Sequence, residues 1–263
     1  MAKLDHNRAE LQATDGSEPS RSKMPAHLKI ALSAGLGVTV LLVGLFVFLA
    51  TQKNDQLNAS PPIRVSGLPA GVTTRTAYLM SLSPVQAIPA NPFTLTDQNG
   101  RTVSLTSFKG RVVVLNFMDP HCTDICPIIS QELIDAYHDL GVLARTVVFL
   151  AVNVNRFHTS VAAIKSFTDE HGLNTLPSWH FLTGTPSVLK SIWAEYGVSV
   201  VAPSRSADII HSSLILFIDR SGRKRYLASP TDFHTKTGKS YLPVGSLTQW
   251  GKGIAEVTKS LLP

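Results

Sequence analysis

Residues 30–50 read IALSAGLGVTVLLVGLFVFLA, 21 positions without a charge. At about 1.5 Å of rise per residue such a helix is about 31 Å long, close to the thickness of a bilayer's hydrocarbon core. A transmembrane helix is expected there. A different pattern begins at Phe93. FTLTDQNGRTVSL alternates in two short runs around Asn99-Gly100, which predicts a β-hairpin. RVVVLNF (Arg111 to Phe117) and the run from Thr146 to Val154 are almost continuously apolar, as in strands covered on both faces. Between them, Ile128, Ile129, Leu133, Ala136, Tyr137 and Leu140 recur at helical spacing, so a helix is expected from Pro127 to about Leu143. Further helices are expected at Ser160 to His171, closed by Gly172, and from Thr185-Pro186 to Gly197. Trp179 to Leu182 and Ser212 to Ile218 read as strands, and a turn at Asp219 to Gly222 leads into a strand at Lys224 to Ala228. A last helix is expected over Leu247 to Leu261. Alternating strands and helices, closed by a hairpin and a helix, predict an α/β fold with a mixed central sheet flanked by helices.

Six prolines between Pro61 and Pro92 argue for an extended stalk before this domain, with Tyr78 to Leu82 packing on it as a strand. The expected organisation is therefore a polar leader at 1–29, the membrane helix at 30–50, a proline-rich stalk at 51–90 and one folded domain at 91–263. Arg21, Lys23 and Lys29 precede the apolar run and Lys53 alone follows it closely, which sets the leader in the cytoplasm and the domain outside it. The run is longer than the apolar stretch of a cleaved signal peptide, and a leader that contains Asp5, Glu10, Asp15 and Glu18 is unlike a transit peptide. A bacterial inner membrane with a periplasmic domain is the expected location.

Charge and composition mainly exclude. Only 16% of residues are charged, against about 25% in soluble proteins, as the apolar run requires. The net charge is +6 without any basic cluster interleaved with aromatics, and RSGRKR (Arg220 to Arg225) reads as a solvated turn, so no nucleic-acid partner is expected. Two cysteines exclude a disulfide-rich scaffold and a four-thiolate zinc or iron–sulfur site within one chain. The P-loop, dinucleotide-binding, nucleophile-elbow and zinc-protease motifs are absent.

Both cysteines lie in MDPHCTDICP (Met118 to Pro127), the loop that leaves the first buried strand and enters the first helix. In open α/β sheets this end of the strands is where chemistry sits. Cys122 and Cys126 are about one helical turn apart, and a helix N-terminus favours thiolate. Such a pair suits dithiol–disulfide cycling, or binding of a soft metal. An inert disulfide is the plainer alternative, but it would close a loop too short to stabilise the fold much. Of seven histidines beyond the apolar run, His121 adjoins Cys122 but is expected to point away from it, and His138 to be exposed. His158, His171, His180 and His234 sit at turns or strand edges without an evident partner. His211 stands directly before SSLILFI, the strand that opens the final hairpin.

With the redox-type loop and this segment, the βαβ order resembles the thioredoxin fold. More narrowly, CTDICP (Cys122 to Pro127) resembles the CxxxCP signature of the Sco/SenC family of copper chaperones, and DIIHSSLILFIDRSG (Asp208 to Gly222) resembles its histidine segment. The likeness covers about residues 90–263. It implies a thioredoxin-like domain behind one N-terminal transmembrane helix, with Cys122, Cys126 and His211 as ligands of Cu(I) or Cu(II). His211 would stand where thioredoxins carry a cis-proline packed against the cysteines. The implied role is maturation of the copper centre of cytochrome c oxidase or a related copper protein. Implied partners are a copper-receiving protein such as an oxidase subunit, and a thioredoxin-like reductant. A metallochaperone is expected rather than an enzyme. The competing reading is a thiol–disulfide oxidoreductase whose redox pair is Cys122 and Cys126. A peroxiredoxin fits poorly, since Thr123 follows the cysteine instead of preceding it. Met118, Asp119, Pro120 and His121 depart from the family's usual run before the first cysteine, and Met118, Asp119 or His121 could assist the site. Asp124 matches a frequent family acid, or simply complements the helix dipole.

Overall fold

The computed structural model describes residues 67–207, 209–229, 233–238, 240–242 and 245–263. The expected leader, the apolar run Ile30 to Ala50 and the first part of the expected stalk lie outside the described residues, as does Asp208. Among the described residues no helix is long and apolar enough to cross a membrane.

Seventeen regular elements are used below. They are α1 (Thr74–Leu79), β1 (Ser83–Pro84), β2 (Thr94–Asp97), β3 (Thr102–Ser104), β4 (Val112–Met118), α2 (Ile125–Leu140), β5 (Val147–Asn153), α3 (Val161–Glu170) and β6 (Trp179–Thr183). They continue with α4 (Pro186–Glu195), β7 (Val200–Val201), β8 (Ile210–His211), β9 (Ile215–Ile218), β10 (Lys224–Ala228), β11 (Phe233–His234), β12 (Ser240–Tyr241) and α5 (Ser246–Lys259). Eight strands form one mixed sheet in the order β1-β10-β9-β4-β5-β6-β2-β3. Strands β4, β5 and β6 run parallel, and β9, β10, β1, β2 and β3 each run antiparallel to a neighbour.

Every residue of β4 and β5 is buried, which is why both read as unbroken apolar runs. Their alternate side chains feed two cores. Val114, Met118, Phe149 and Ala151 join Ile129 and Leu133 of α2, Ile164 of α3 and Ile254 of α5. Val113, Leu115, Phe117, Leu150 and Val152 join Leu189, Ile192 and Trp193 of α4 on the opposite face. The expected α/β architecture with a mixed sheet is therefore present. The caps are those the sequence suggests: Ser160 and Thr185 each accept a backbone N–H in the first turn, and Pro186 opens α4.

Several boundaries differ from expectation. Helix α2 begins at Ile125, two residues early, and ends at Leu140, where Gly141 takes a φ of 55° and a 3₁₀ segment follows. The strand expected from Ser212 joins the main sheet only at Ile215. Ser212 is still held in the β7–β8 hairpin, donating its N–H to the Ser199 carbonyl at 3.0 Å while its hydroxyl accepts from Ser199. The stalk expected over 51–90 is corrected from Thr74 onward, and Tyr78 to Leu82 is not a strand. No proline falls within 70–83, Thr73 caps α1 by accepting from Thr76 N, and Ala77, Met80 and Leu82 are buried in the core. Burial of that apolar set decides the segment's structure over the proline signal flanking it. The next prolines suit their places too, since Pro84 lies on the edge strand β1, where a missing N–H costs no ladder bond.

Helices α2 and α5 pack closely because Gly251 has no side chain. A Cβ there would lie 2.6 Å from Asp135 Cβ and 3.1 Å from the Glu132 carbonyl oxygen. Gly251→Ala should gain about 1 kcal/mol of helix propensity and lose more to the clash. A net loss of about 1–2 kcal/mol is expected, measured as a lower denaturation midpoint.

Glu132 lies in α2, is 1% exposed, and among the described residues neither carboxylate oxygen has a hydrogen-bond partner. Burial, helped by the Asp135 charge, pushes its carboxyl well above the usual range. The proton is thus held more tightly in the folded chain than in the unfolded one. Glu132 costs nothing below the unfolded value of about 4.3 and erodes stability as pH rises through the window up to the folded value. Glu132→Gln should therefore gain stability relative to the parent as pH increases from 4 to 8, with a limiting slope of about 1.4 kcal/mol per pH unit. Urea unfolding of both proteins at several pH values checks this, and a pH-independent difference would refute it.

Candidate functional site

Register sets the location. Strands β4 and β5 pair in parallel from Val112 with Val147 to Met118 with Asn153, so both end at the same sheet edge. Strand β9 is antiparallel to β4 and pairs Ile215 with Asn116, so the chain enters it at that edge. Three segments converge there: the cysteine loop after Met118, the loop after Asn153, and the segment from His211 to Leu214.

In the cysteine loop, Cys122 N donates to the Asp119 carbonyl at 3.2 Å. This turn aims the Cys122 sulfur at the start of α2, where it accepts the Cys126 N–H at 3.3 Å and a further N–H from Asp124. Free N–H groups at a helix start are normally capped by a side-chain oxygen. Here a sulfur takes that role. Cys126 lies in the first helical turn and is fully buried, whereas Cys122 is half-buried; both are free thiols. The Cys122 thiol is lowered to about 7, first by the hydrogen bond from the Cys126 side chain and then by the backbone donors, which outweigh its partial burial. Cys126 is pushed well above the usual thiol range by donating to Cys122, by burial and by the neighbouring thiolate. Once the outer thiol ionises, about pH 7, the pair shares one proton, held on the inner sulfur. The outer sulfur is the nucleophile and the first donor to a metal.

Asp119 braces this site. Its buried carboxylate accepts His121 N at 2.8 Å and Asn155 Nδ2 at 2.9 Å, tying the loop after β4 to the loop after β5. Its negative charge reaches Cys122, Cys126, His158 and His211. Asn155 was invisible to sequence reading, since a lone asparagine carries no motif. Asp124 does not cap α2 with its side chain. It accepts Ser240 N instead, at 2.9 and 3.2 Å, and so fastens β12 to the cysteine loop.

His211 lies in β8, pairs with Val200 and is half-buried; its Nδ1 is 3.1 Å from the Ser212 carbonyl. Burial lowers its pKa, opposed by that carbonyl and by Asp119, so the ring is neutral and able to donate a lone pair near pH 7. Among the described residues no three His, Cys, Asp or Glu side chains are gathered to hold a metal ion. The two cysteines are together, and His211 shares their edge of the sheet and their acidic neighbour without closing a three-ligand set. Met118 is fully buried in the core beside them. A cleft of about 340 Å³ opens beside Cys122, lined by His121, Thr123, Pro127, Phe167 and His171 among others.

The remaining histidines separate clearly. His138 is exposed, as expected. His180, expected to lack a partner, is 3.2 Å from the buried Asp97 and ties β6 to the β2–β3 hairpin. His121 and His158, which sequence reading left unconnected, stack ring on ring with centroids 3.6 Å apart.

A family model described as SCO1/SenC matches residues 84–238, more than half of the chain and the part that carries both cysteines and His211. The chain belongs to the SCO1/SenC family. It is similar to the SCO1 protein homolog of Bacillus subtilis (strain 168), 26% identical over 134 residues that make up 50% of this chain and 69% of that protein. Among solved structures, Bradyrhizobium japonicum ScoI with copper bound is 25% identical and has a TM-score of 0.51, over 66% of this chain and 100% of that one. A SCO1/SenC family lipoprotein from Bacillus anthracis str. Ames has a TM-score of 0.55 at 20% identity, over 68% of this chain and 98% of that one. The last likeness is one of fold, and the fold of this SCO1/SenC chain is the thioredoxin-like one.

The asymmetry of the pair gives a direct expectation. Alkylation of the folded chain by iodoacetamide should label Cys122 with a rate that rises sigmoidally about a midpoint near pH 7, and should leave Cys126 unlabelled until the chain is unfolded. Peptide mass spectrometry distinguishes the two sites. Equal labelling of both cysteines would contradict the shared-proton arrangement.

Proposed function

We propose that this chain is a copper-binding metallochaperone of Sco type, with the Cys122 and Cys126 thiolates and the His211 imidazole as ligands for Cu(I) or Cu(II). The observation that carries the reading is the poised pair itself: an accessible low-pKa thiol backed by a buried thiol, within a chain of the SCO1/SenC family. Two thiolates suit Cu(I), and a neutral imidazole added to them suits Cu(II) as well. The copper held by the similar Bradyrhizobium japonicum protein supports the same cargo here. Loading requires the Cys126 proton to leave and the Ile210–His211 segment to approach the pair. A three-coordinate ion keeps an open position for an incoming thiolate or imidazole of the recipient. That recipient is a copper protein, with a cytochrome c oxidase subunit as the family's role suggests. The uncharged run from Ile30 to Ala50 and the basic residues before it support a single membrane anchor, with the domain on the periplasmic side of a bacterial inner membrane.

One observation favours a second reading. A half-buried thiolate beside a fully buried resolving thiol also suits disulfide reduction. Cys122 would attack a partner's disulfide and expel one of its sulfurs. Cys126 would then lose its proton and attack Cys122, leaving a Cys122–Cys126 disulfide and a partner reduced by two electrons. A thioredoxin-like reductant would restore the thiols.

Copper titration of the reduced full-length chain under anaerobic conditions separates the two. One tightly bound copper per chain is expected, with a sulfur-to-Cu(II) absorption band that weakens or disappears in His211→Ala. Weak binding indifferent to His211→Ala would favour the reductase. Because both thiols must lose protons, Cu(I) affinity should climb with pH by about 100-fold per unit below pH 7 and about tenfold per unit above it.

A further inference from the structure

Both functions weighed above require a partner to reach Cys122, and neither uses the charged surface that borders this approach. In the loop after β5 the Arg156 guanidinium stands 4.7 Å from the centroid of the Phe157 ring, and the Arg205 guanidinium stands 5.8 Å from the same ring. A backbone carbonyl ties each one down as well. Arg156 Nη2 donates to Ala202 at 2.8 Å, and Arg205 Nη1 donates to Phe157 at 2.9 Å. Both residues are exposed, so most of their N–H groups are left to solvent.

Contacts extend this pair in two directions. The Arg205 backbone hydrogen-bonds the His158 ring, which stacks on His121, and His121 borders the cleft that opens on Cys122. On the other side Arg156 and Lys190 border a second cleft of about 490 Å³, lined by Trp193, Ala194, Val198 and Val200. Val200 pairs with His211 across the β7–β8 hairpin, and the neighbouring pair, Val201 with Ile210, is exposed. A band of cations and imidazoles therefore runs from Cys122 to the hairpin that carries His211.

Little on the chain itself balances this charge. Among the described residues no carboxylate forms an ion pair with Arg156, Arg205 or Lys190. Asp119 beneath the band is buried and already accepts from His121 N and Asn155. Glu170 lies on the rim of the Cys122 cleft. Two guanidiniums brought to one ring repel each other, so folding gains little from the arrangement. Planar forks that are already positioned and lack a counter-charge suit carboxylates. Apolar side chains with a polar margin are the usual composition of a protein interface.

We infer that this band is the docking surface for an acidic face of the protein partner that reaches Cys122. Carboxylate side chains of the partner seat on Arg156, Arg205 and Lys190, and an apolar side chain between them enters the cleft beside Trp193. The inference rests on the reading that Cys122 reacts with a protein partner, and it adds the chemistry by which that partner is recognised.

The test uses the reduced full chain in phosphatidylcholine nanodiscs without copper, so its outcome is independent of the copper titration. Three short peptides each carry one cysteine as a mixed disulfide with 2-thiopyridine and differ only in flanking glutamate, glutamine or lysine. The Cys122 thiolate attacks the peptide sulfur, the bond to the pyridyl sulfur breaks, and pyridine-2-thione leaves with a proton from water. Its absorbance gives the rate, and the ratio between peptides at one pH cancels any change in Cys122 acidity. At about 10 mM ionic strength the glutamate peptide should react at least about tenfold faster than the lysine peptide. The ratio should fall to about one at about 1 M salt, where the Debye length is about 3 Å. Arg156→Glu with Arg205→Glu should invert the order at low salt. Lys190→Glu, at an exposed position on α4, should lower the ratio at least about twofold, and it keeps the test decisive if the double reversal fails to fold. Lys109→Glu with Arg220→Glu changes the net charge equally at the opposite sheet edge, before β4 and after β9, and should leave the ratio in place. Equal rates for the three peptides, or an equal response to the two double reversals, would overturn the inference. So would a slowing of the glutamine peptide by phosphatidylglycerol nanodiscs that Arg156→Glu with Arg205→Glu abolishes, since the band would then hold lipid headgroups in place of a protein.

Discussion

The parallel pairing of Val112–Met118 with Val147–Asn153 is the constraint on which the rest of this protein depends. It ends two buried strands at one sheet edge. The backbone groups beyond that edge have no ladder to join, so they must find partners in loops, caps and side chains. The cysteine turn, the Asp119–Asn155 brace and the sulfur-capped start of the helix at Ile125 are the ways they do so. The antiparallel strand at Ile215–Ile218 brings a third segment, with His211, to the same edge. Chemistry is concentrated where the regular structure runs out.

Burial then divides the work between two identical side chains. Cys122 and Cys126 are one turn apart, yet one meets solvent and backbone donors while the other meets the core. Desolvation alone would raise both thiols. The N–H groups at the helix start and the proton from Cys126 reverse the sign for Cys122 only. The outcome is one thiolate that is cheap to form and one that forms only when something replaces its proton. A soft cation and a new sulfur–sulfur bond are both able to do that, so a single geometry supports two related chemistries.

Asp119 links this electrostatic arrangement to the architecture. It is buried beside two thiols that its charge opposes, a cost repaid by two hydrogen bonds that join neighbouring loops. It also brings negative charge to a site whose cargo is a cation. The buried Glu132 is its opposite: its carboxylate finds no hydrogen-bond partner among the described residues and weakens the fold as pH rises.

Much of this was written in the chain itself. The apolar runs at Arg111 to Phe117 and Thr146 to Val154, the caps at Ser160 and Thr185 and the turn at Asn99-Gly100 prescribe local structure, because each acts through neighbours a few residues away. The cysteine spacing, the position of the pair before a helix and the His211 segment pointed to the family for the same reason. What no local pattern carried was decided by packing. The segment at Thr74 to Leu79 became a helix because Met80 and Ala77 found a core. Ser212 stayed with Ser199 instead of joining the main sheet. Which loop Asp119 holds and which ring His121 meets depend on residues 36 and 37 positions away in the chain. Burial, charge and stacking act through space, and only the tertiary fold supplies the neighbours on which they act.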